Sequence, residues 1–283
     1  MKKCPEEVYA VFVGDVHYGI KNFLGKEFEK FILWLKGEYG HENQKKIASK
    51  VRYLFFTGDL VEGVGIYPNQ DKDLDIDDIY LQYDSFAKEL KRIPSYINLI
   101  MCGGNHDAIR MSEPQPVLDI KYARSLYDLP NALLVSNPAT VNIHSINGFS
   151  GLNVLIYHGF SFPFISEAVE EIRVAGGQGR SDLIMKYLLQ RRHICPEHGM
   201  NLYVPDPNVD PLVIETVPDI FTTVHIHRLA VSNYRGVSLL NTSCWDSQTD
   251  DQEKRGIIPD PAKAIVLNLK TREVTVIDFK DGE

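Results

Sequence analysis

Cysteine is scarce: Cys4, Cys102, Cys195 and Cys244 are the four thiols in 283 residues, widely spaced and with no C-x-x-C pair. That spacing excludes a disulfide framework and a zinc ribbon. Long apolar runs are missing too. Residues 51–56 are interrupted by Arg52 and residues 152–157 by Asn153, whereas a membrane-crossing helix needs roughly 18–20 apolar residues. Residues 1–9 carry Lys2 and Lys3 but reach Glu6 and Glu7 without an apolar stretch. No secretory signal is therefore expected, and the expected location is intracellular, with no membrane partner. Basic charge is in deficit, with Lys+Arg 30 against Asp+Glu 38 and a net charge of −8. A tight independent grip on duplex DNA is excluded unless the charge is segregated. With no Gly/Ser linker, internal repeat or low-complexity tract, one domain over residues 1–283 is expected.

Hydrophobic residues make up 44% of the chain, enough for a large core. Short β-branched and aromatic runs at residues 8–13, 51–56, 97–102, 152–157, 220–224, 237–240, 263–269 and 273–279 read as strands. Between the early ones, Phe28, Phe31, Ile32 and Leu35, and then Ile79, Tyr83, Phe86, Ala87 and Leu90, follow helical spacing. This β-α-β-α-β order predicts parallel strands. The later runs are closely spaced, around Tyr234-Arg235-Gly236 and Thr271, which predicts antiparallel pairing. The expected fold is α/β, with two packed mixed sheets flanked by helices. Two excursions interrupt it. Residues 63–79 hold Asp71, Asp73, Asp75, Asp77 and Asp78 without the Gly and Glu of a calcium loop, and read as a solvated loop leading to a helix N-terminus. Residues 197–218 hold Pro205, Pro207, Pro211 and Pro218.

Chemistry concentrates where the strand runs end. They deliver in turn Gly14-Asp15-Val16-His17, Gly58-Asp59, Gly103-Gly104-Asn105-His106-Asp107, His158-Gly159 and His225-Ile226-His227. The carboxyl ends of parallel strands share one sheet edge, where ligands bind. If these segments stay extended, residues i and i+2 point the same way, so Asp15 with His17, and His225 with His227, each present two groups to one place. A set of carboxylate and amide oxygens with imidazole nitrogens, and no thiolate, suits Mn²⁺, Fe or Zn²⁺ better than Ca²⁺. A lone histidine or a lone post-strand aspartate is usually a core or capping residue; five such strand ends in order point to a metal site.

The ordered pattern resembles the calcineurin-like metallophosphoesterases. Within them it is most similar to the small subunits of archaeal D-family DNA polymerases, through Gly63-Val64-Gly65-Ile66-Tyr67-Pro68, Gln115-Pro116, Leu212-Val213-Ile214-Glu215 before Val217-Pro218-Asp219, and Tyr234-Arg235-Gly236-Val237 followed by Asn241 and Trp245. The resemblance implies two divalent ions, Mn²⁺ first and Fe, Zn²⁺ or Mg²⁺ as alternatives, bridged by Asp59. Asp15, His17 and His227 would complete one site, and Asn105, His158 and His225 the other. His106 would be the catalytic histidine that contacts the phosphate and protonates the leaving oxygen, with Asp107 orienting it. The implied activity is 3′→5′ proofreading exonuclease on a single-stranded DNA end, at the replication fork, in a heterodimer with a large catalytic polymerase subunit. Action on another phosphoester and a non-catalytic scaffold role are the alternatives. The chain departs from the family at two points. Val224 stands where a glycine usually precedes the His-x-His pair, and Asp15 lies so near the start that the family's N-terminal oligonucleotide-binding-type domain is expected to be absent.

Other residues carry weaker signals. Arg191 and Arg192 close a Gly-rich basic segment, residues 173–193, that would guide a DNA strand by neutralising phosphates; a solvated helix face explains it equally well. His41, His144, His193 and His198 read as surface or structural residues, and the Cys195/His198 pair lacks the second pair a zinc site needs.

Overall fold

The structure, a computed structural model, describes residues 1–248, 253 and 258–280. Its first sheet has the order β11-β10-β1-β2-β3-β4, where β1 is Tyr9–Val13, β2 Val51–Thr57, β3 Asn98–Cys102, β4 Ala132–Leu134, β10 Lys263–Asn268 and β11 Val274–Asp278. β1 to β4 run parallel, and β10 and β11 join antiparallel at the β1 edge. The second sheet has the order β5-β6-β7-β9-β8, from β5 (Ala139–Ile146), β6 (Phe149–Ile156), β7 (Ile220–Thr223), β8 (Ala230–Tyr234) and β9 (Val237–Asn241). Here β6, β7 and β9 are parallel, while β5 and β8 are antiparallel edge strands.

Side-chain alternation builds the layers. Along β1, Val11 and Val13 face an outer core while Ala10 and Phe12 face the opposite sheet; β2 and β3 repeat the pattern with Leu54 and Phe56 against Phe55, and Leu99 and Met101 against Ile100. The inner cluster is completed by Leu152, Val154, Ile156, Ile220 and Leu240 of the second sheet, so the two sheets pack face to face. The first sheet's outer face is covered by α1 (Gly25–Leu35), α3 (Ile79–Leu90) and α4 (Ile120–Tyr127), with α2 (Glu42–Ala48) beside α1. The second sheet's outer face carries α5 (Phe162–Ala168), α6 (Glu170–Val174) and α7 (Ser181–Arg191). The expected arrangement of two mixed sheets flanked by helices is what the chain adopts.

α1 buries Phe28, Phe31, Ile32 and Leu35, and α3 buries Tyr83, Phe86, Ala87 and Leu90, the stripes their spacing predicts. Asp78 starts α3 by accepting hydrogen bonds from the backbone N–H groups of Tyr80 (2.8 Å) and Leu81 (3.0 Å). The other aspartates of residues 63–79 are exposed. The loop is nonetheless anchored, because Gln70 and Leu74 are buried. Trp245 is wholly buried against Phe28, Phe31 and Phe279. No helix among the described residues is long and apolar enough to cross a membrane.

Candidate metal centre

Each predicted group sits just beyond a strand, and five parallel strands contribute: β1, β2 and β3 of the first sheet, and β6 and β7 of the second. Asp15, His17 and His227 place one potential ligand atom each within 4.8 Å of one another, and so do Asp59, His158 and His225. The two groups adjoin. His17 Nε2 lies 3.8 Å from Asp59 Oδ2, and His158 Nε2 lies 3.4 Å from the same oxygen, which puts Asp59 between them. Asn105 joins the second group with Oδ1 at 2.9 Å from His158 Nε2.

The chain reaches this arrangement by left-handed turns. Asp15 (φ 44°), His17 (φ 50°), Asp59 (φ 48°), His225 (φ 77°) and His227 (φ 52°) all have positive φ. Extended pleating is therefore not what pairs Asp15 with His17 or His225 with His227; tight turns redirect each side chain separately. Such conformations cost on the order of 1–3 kcal/mol each and persist where surrounding structure enforces them. Val224 keeps an ordinary φ and packs its side chain 3.1 Å from where a Cβ on Gly14 would sit, so the family's glycine is not needed at that position. Gly58 and Gly104 are needed. A Cβ on Gly58 would fall 2.4 Å from His158 Nδ1, and one on Gly104 2.3 Å from Asp59 Oδ1.

The protons are arranged for a cation. His17 Nδ1 donates to Glu62 Oε2 at 2.8 Å, and His158 Nδ1 donates to the Thr57 carbonyl at 3.0 Å. Both rings are thereby held with Nε2 turned inward, the usual support for a ligating imidazole. Against its burial, the nearby Asp59 carboxylate raises the His158 pKa to about 9, so a cation bound there displaces a proton. His17 Nε2 then faces His227 Nε2 at 3.3 Å, and His158 Nε2 faces His225 Nδ1 at 3.2 Å. Burial, reinforced by His158, drives the His225 pKa down to about 3, so this ring is an unprotonated base at neutral pH. Asp15 Oδ1 is buried with no hydrogen-bond partner. An orphaned carboxylate oxygen beside converging imidazole nitrogens is the surrounding a divalent ion satisfies. The donor set fits.

Supporting groups tie the centre to the scaffold. Asn137 Oδ1 accepts from the His158 backbone N–H (2.8 Å), and its Nδ2 donates to Gln115, which in turn donates to the Gly104 carbonyl (3.0 Å). His106 is not in either three-residue group; its backbone N–H donates to Asp59 Oδ1 (2.8 Å), and its ring, 16% exposed, borders the opening. His106 Nδ1 donates to the Glu62 carbonyl (2.9 Å), with Glu62 Oε2 3.4 Å away. Asp107 does not touch that ring. Its carboxylate accepts from Leu60 N–H (3.1 Å), Gly104 N–H (2.9 Å) and Tyr83 Oη (2.9 Å), pinning two ligand-bearing turns together.

Sequence reading passed over Glu62, which contacts both His17 and His106 and is itself held by Gln70 Nε2 at 2.9 Å. Its signal was a lone carboxylate in the otherwise apolar and glycine segment Leu60-Val61-Glu62-Gly63-Val64, three residues after Asp59. Asp246, beyond β9, was also passed over; its Oδ1 lies 3.5 Å from His227 Nδ1. Arg191 and Arg192 lie elsewhere, at the C-terminus of α7, beside Tyr234, Arg235 and Val237. Val237 begins β9 and Asn241 ends it at the metal-centre side, roughly 13 Å further along at strand rise. Arg192 is engaged with the Ile214 and Glu215 carbonyls, and Arg191 stacks over Tyr187. Cys195 and His198 belong to none of the ligand groups found among the described residues.

Two packed mixed sheets with histidines, aspartates and an asparagine at the parallel strand ends define a metallophosphoesterase, and residues 9–229 match the family described as calcineurin-like phosphoesterase. The chain belongs to that family. More particularly, it is similar to proteins named "DNA polymerase II small subunit". With that of Methanocaldococcus jannaschii it shares 42% identity over 268 residues, covering 95% of this chain and 43% of that protein. With that of Archaeoglobus fulgidus the identity is 42% over 260 residues, covering 92% and 51%. With that of Pyrococcus furiosus it is 39% over 276 residues, covering 97% and 43%. The chain spans about half the length of these curated relatives.

Proposed function

We propose that the centre hydrolyses phosphodiesters, removing nucleotides 3′→5′ from a single-stranded DNA end, and that the chain acts in a small polymerase subunit beside a large catalytic one. The observation that carries the chemistry is the convergence of Asp15, His17, Asp59, Asn105, His158, His225 and His227 on two adjoining ligand groups, with an orphaned Asp15 oxygen and the Nε2 atoms of His17 and His158 turned inward. The names of its relatives supply the DNA substrate and the partner. When bound, two divalent ions, Mn²⁺ by preference for this oxygen and nitrogen set, supply an activated water and neutralise phosphate charge.

The chain's own residues do the rest. Asp59 holds both ligand groups in register. His106 offers Nε2 to the scissile phosphate; as the bond from phosphorus to the leaving 3′ oxygen breaks, that oxygen takes the Nε2 proton. Glu62 orients the ring through Nδ1, and its carboxylate stabilises the imidazolium that donates. Asp107 positions His106 only through the backbone turns it clamps. Arg191 and Arg192 make no contact with the reacting phosphate in this reading. With a net charge of −8, the chain relies on its partner for most of the grip on DNA.

The test is nucleotide release from 3′-end-labelled single-stranded DNA with Mn²⁺, comparing wild type with His106→Ala at equal metal content. Loss of a general acid predicts a fall of about 10²–10⁴-fold. A folded, metal-loaded wild type that releases nothing, or a variant as active as wild type, overturns the reading. Hydrolysis of bis(4-nitrophenyl) phosphate without DNA cleavage would assign the centre to a different phosphoester, and inactivity on both would leave a scaffold.

A further inference from the structure

We infer that the cleft beside His106 is a subsite for the nucleobase of the nucleotide being removed, an inference that rests on the phosphodiesterase reading and deepens it. The cleft has a volume of about 540 Å³, within the roughly 300–1,000 Å³ of small-molecule sites. It adjoins the candidate centre through His106, which is part of its wall and whose backbone N–H donates to Asp59 Oδ1 at 2.8 Å. The opposite walls are apolar: Val64 and Ile66 from the loop after β2, Ile109 and Val117 from the segment after β3, and the ring of Tyr122 on α4. Val64, Ile66 and Val117 are exposed at 47%, 39% and 40%, an apolar surface beside a polar centre that nothing in the chain covers among the described residues. Tyr122 is already braced by Tyr80, with ring centroids 5.6 Å apart and planes 27° from parallel. Lys121 Nζ also lies over the Tyr122 ring, 5.5 Å from its centroid, so a flat ring entering the cleft meets a braced aromatic side chain with a cation beside it.

The polar groups at its edge suit a base. Arg110 gives Nε to the Ser112 carbonyl and Nη2 to the Pro114 carbonyl, which leaves Nη1 as a donor. Asp119 uses Oδ1 to cap α4 through the Lys121 N–H, which leaves Oδ2 as an acceptor. A donor and an acceptor beside an apolar slot match a nucleobase edge and face, and the phosphate attached to that base would lie towards His106.

The experiment has a binding arm and a cleavage arm, both on the full chain. Calorimetric titration compares 2′-deoxyadenosine 5′-monophosphate with 2-deoxyribose 5-phosphate. Stacking worth about 1–3 kcal/mol per base predicts a preference for the nucleotide of roughly ten- to a hundredfold. Tyr122→Ala brings the two affinities together, Tyr122→Phe retains the preference, and Val117→Trp, which fills the slot, removes it. The cleavage arm compares DNA ending in an ordinary nucleotide with DNA ending in an abasic residue, and expects the same preference and the same loss. Equal affinities in wild type, or a Tyr122→Ala loss identical for both ligands, overturn the subsite. DNA cleavage without base preference overturns the subsite while the exonuclease reading stands; base-selective binding without DNA cleavage supports the subsite and overturns the exonuclease reading.

Discussion

Glu113 shows how a single buried group leaves a measurable trace outside the metal centre. Its carboxylate accepts from Asn201 Nδ2 (2.6 Å), and its backbone pairs with Leu202 and Val204, fastening the 197–218 excursion to the loop after β3. Burial pushes its pKa from 4.5 up to about 7, against the pull of Asn201 and Tyr157. An acid whose folded pKa is raised binds its proton more tightly when folded. Its contribution is complete below the unfolded pKa and is lost as pH rises through the folded one, here between 4.5 and about 7. Glu113→Gln keeps the acceptor for Asn201 and removes the charge. The variant should therefore be more stable than wild type at about pH 8, by on the order of 3 kcal/mol, with the gap closing towards about pH 5. Paired thermal melts at the two pH values check this, and a gap that does not change with pH would refute it. At this scale the sequence announces the seven proposed ligands and His106, because each follows a strand run. It conceals Glu62, Asp246 and Glu113, whose roles come from contacts with residues far away in the chain.

Elements were legible in proportion to how much they bury. The eight strand runs correspond to β1, β2, β3, β6, β7, β9, β10 and β11 within a few residues, because each has one or both faces in a core. β4, β5 and β8 went unread. β4 has three residues, and β5 and β8 are edge strands whose residues are mostly partly or fully exposed, so little selects for apolar composition. The short helices α2, α4, α5 and α6 offer too few turns for a stripe. The turns after the strands are where element geometry becomes function, and Gly104 tests that. A Cβ there would meet Asp59 Oδ1 at 2.3 Å, the Asp59 backbone nitrogen at 2.6 Å and His158 Cε1 at 2.7 Å, leaving no flexible neighbour to give way. Gly104→Ala should cost about 2–3 kcal/mol or more and weaken metal binding with it. Gly25→Ala, at the start of α1, meets nothing closer than 3.7 Å and should be neutral or slightly stabilising. Denaturant titration and metal content of the two variants distinguish a strained junction from a general intolerance of alanine.

At the scale of the whole molecule, the metal centre is a seam. The first sheet supplies Asp15, His17, Asp59 and Asn105, and the second supplies His158, His225 and His227. The sequence order discloses these groups, but not that they come from two stacked sheets, since the pairing of β6 with β7 and β9 is a tertiary fact. Ions bound by both proposed ligand groups would therefore hold together the halves of the fold that the inner core already joins. A ligand that binds only the folded state stabilises it by about 2.7 kcal/mol at a hundredfold excess over its dissociation constant. For a chain of this size that corresponds to a rise in Tm of roughly 4–5 °C. Melting with Mn²⁺ should exceed melting in chelator by at least that much. Asp59→Asn, which weakens the group lying between both sites, should lose most of the difference. The measurement needs no DNA and no partner subunit, so it isolates metal binding from catalysis. Identical melting curves with and without Mn²⁺, in a folded wild type, would remove the metal centre itself and every step built on it.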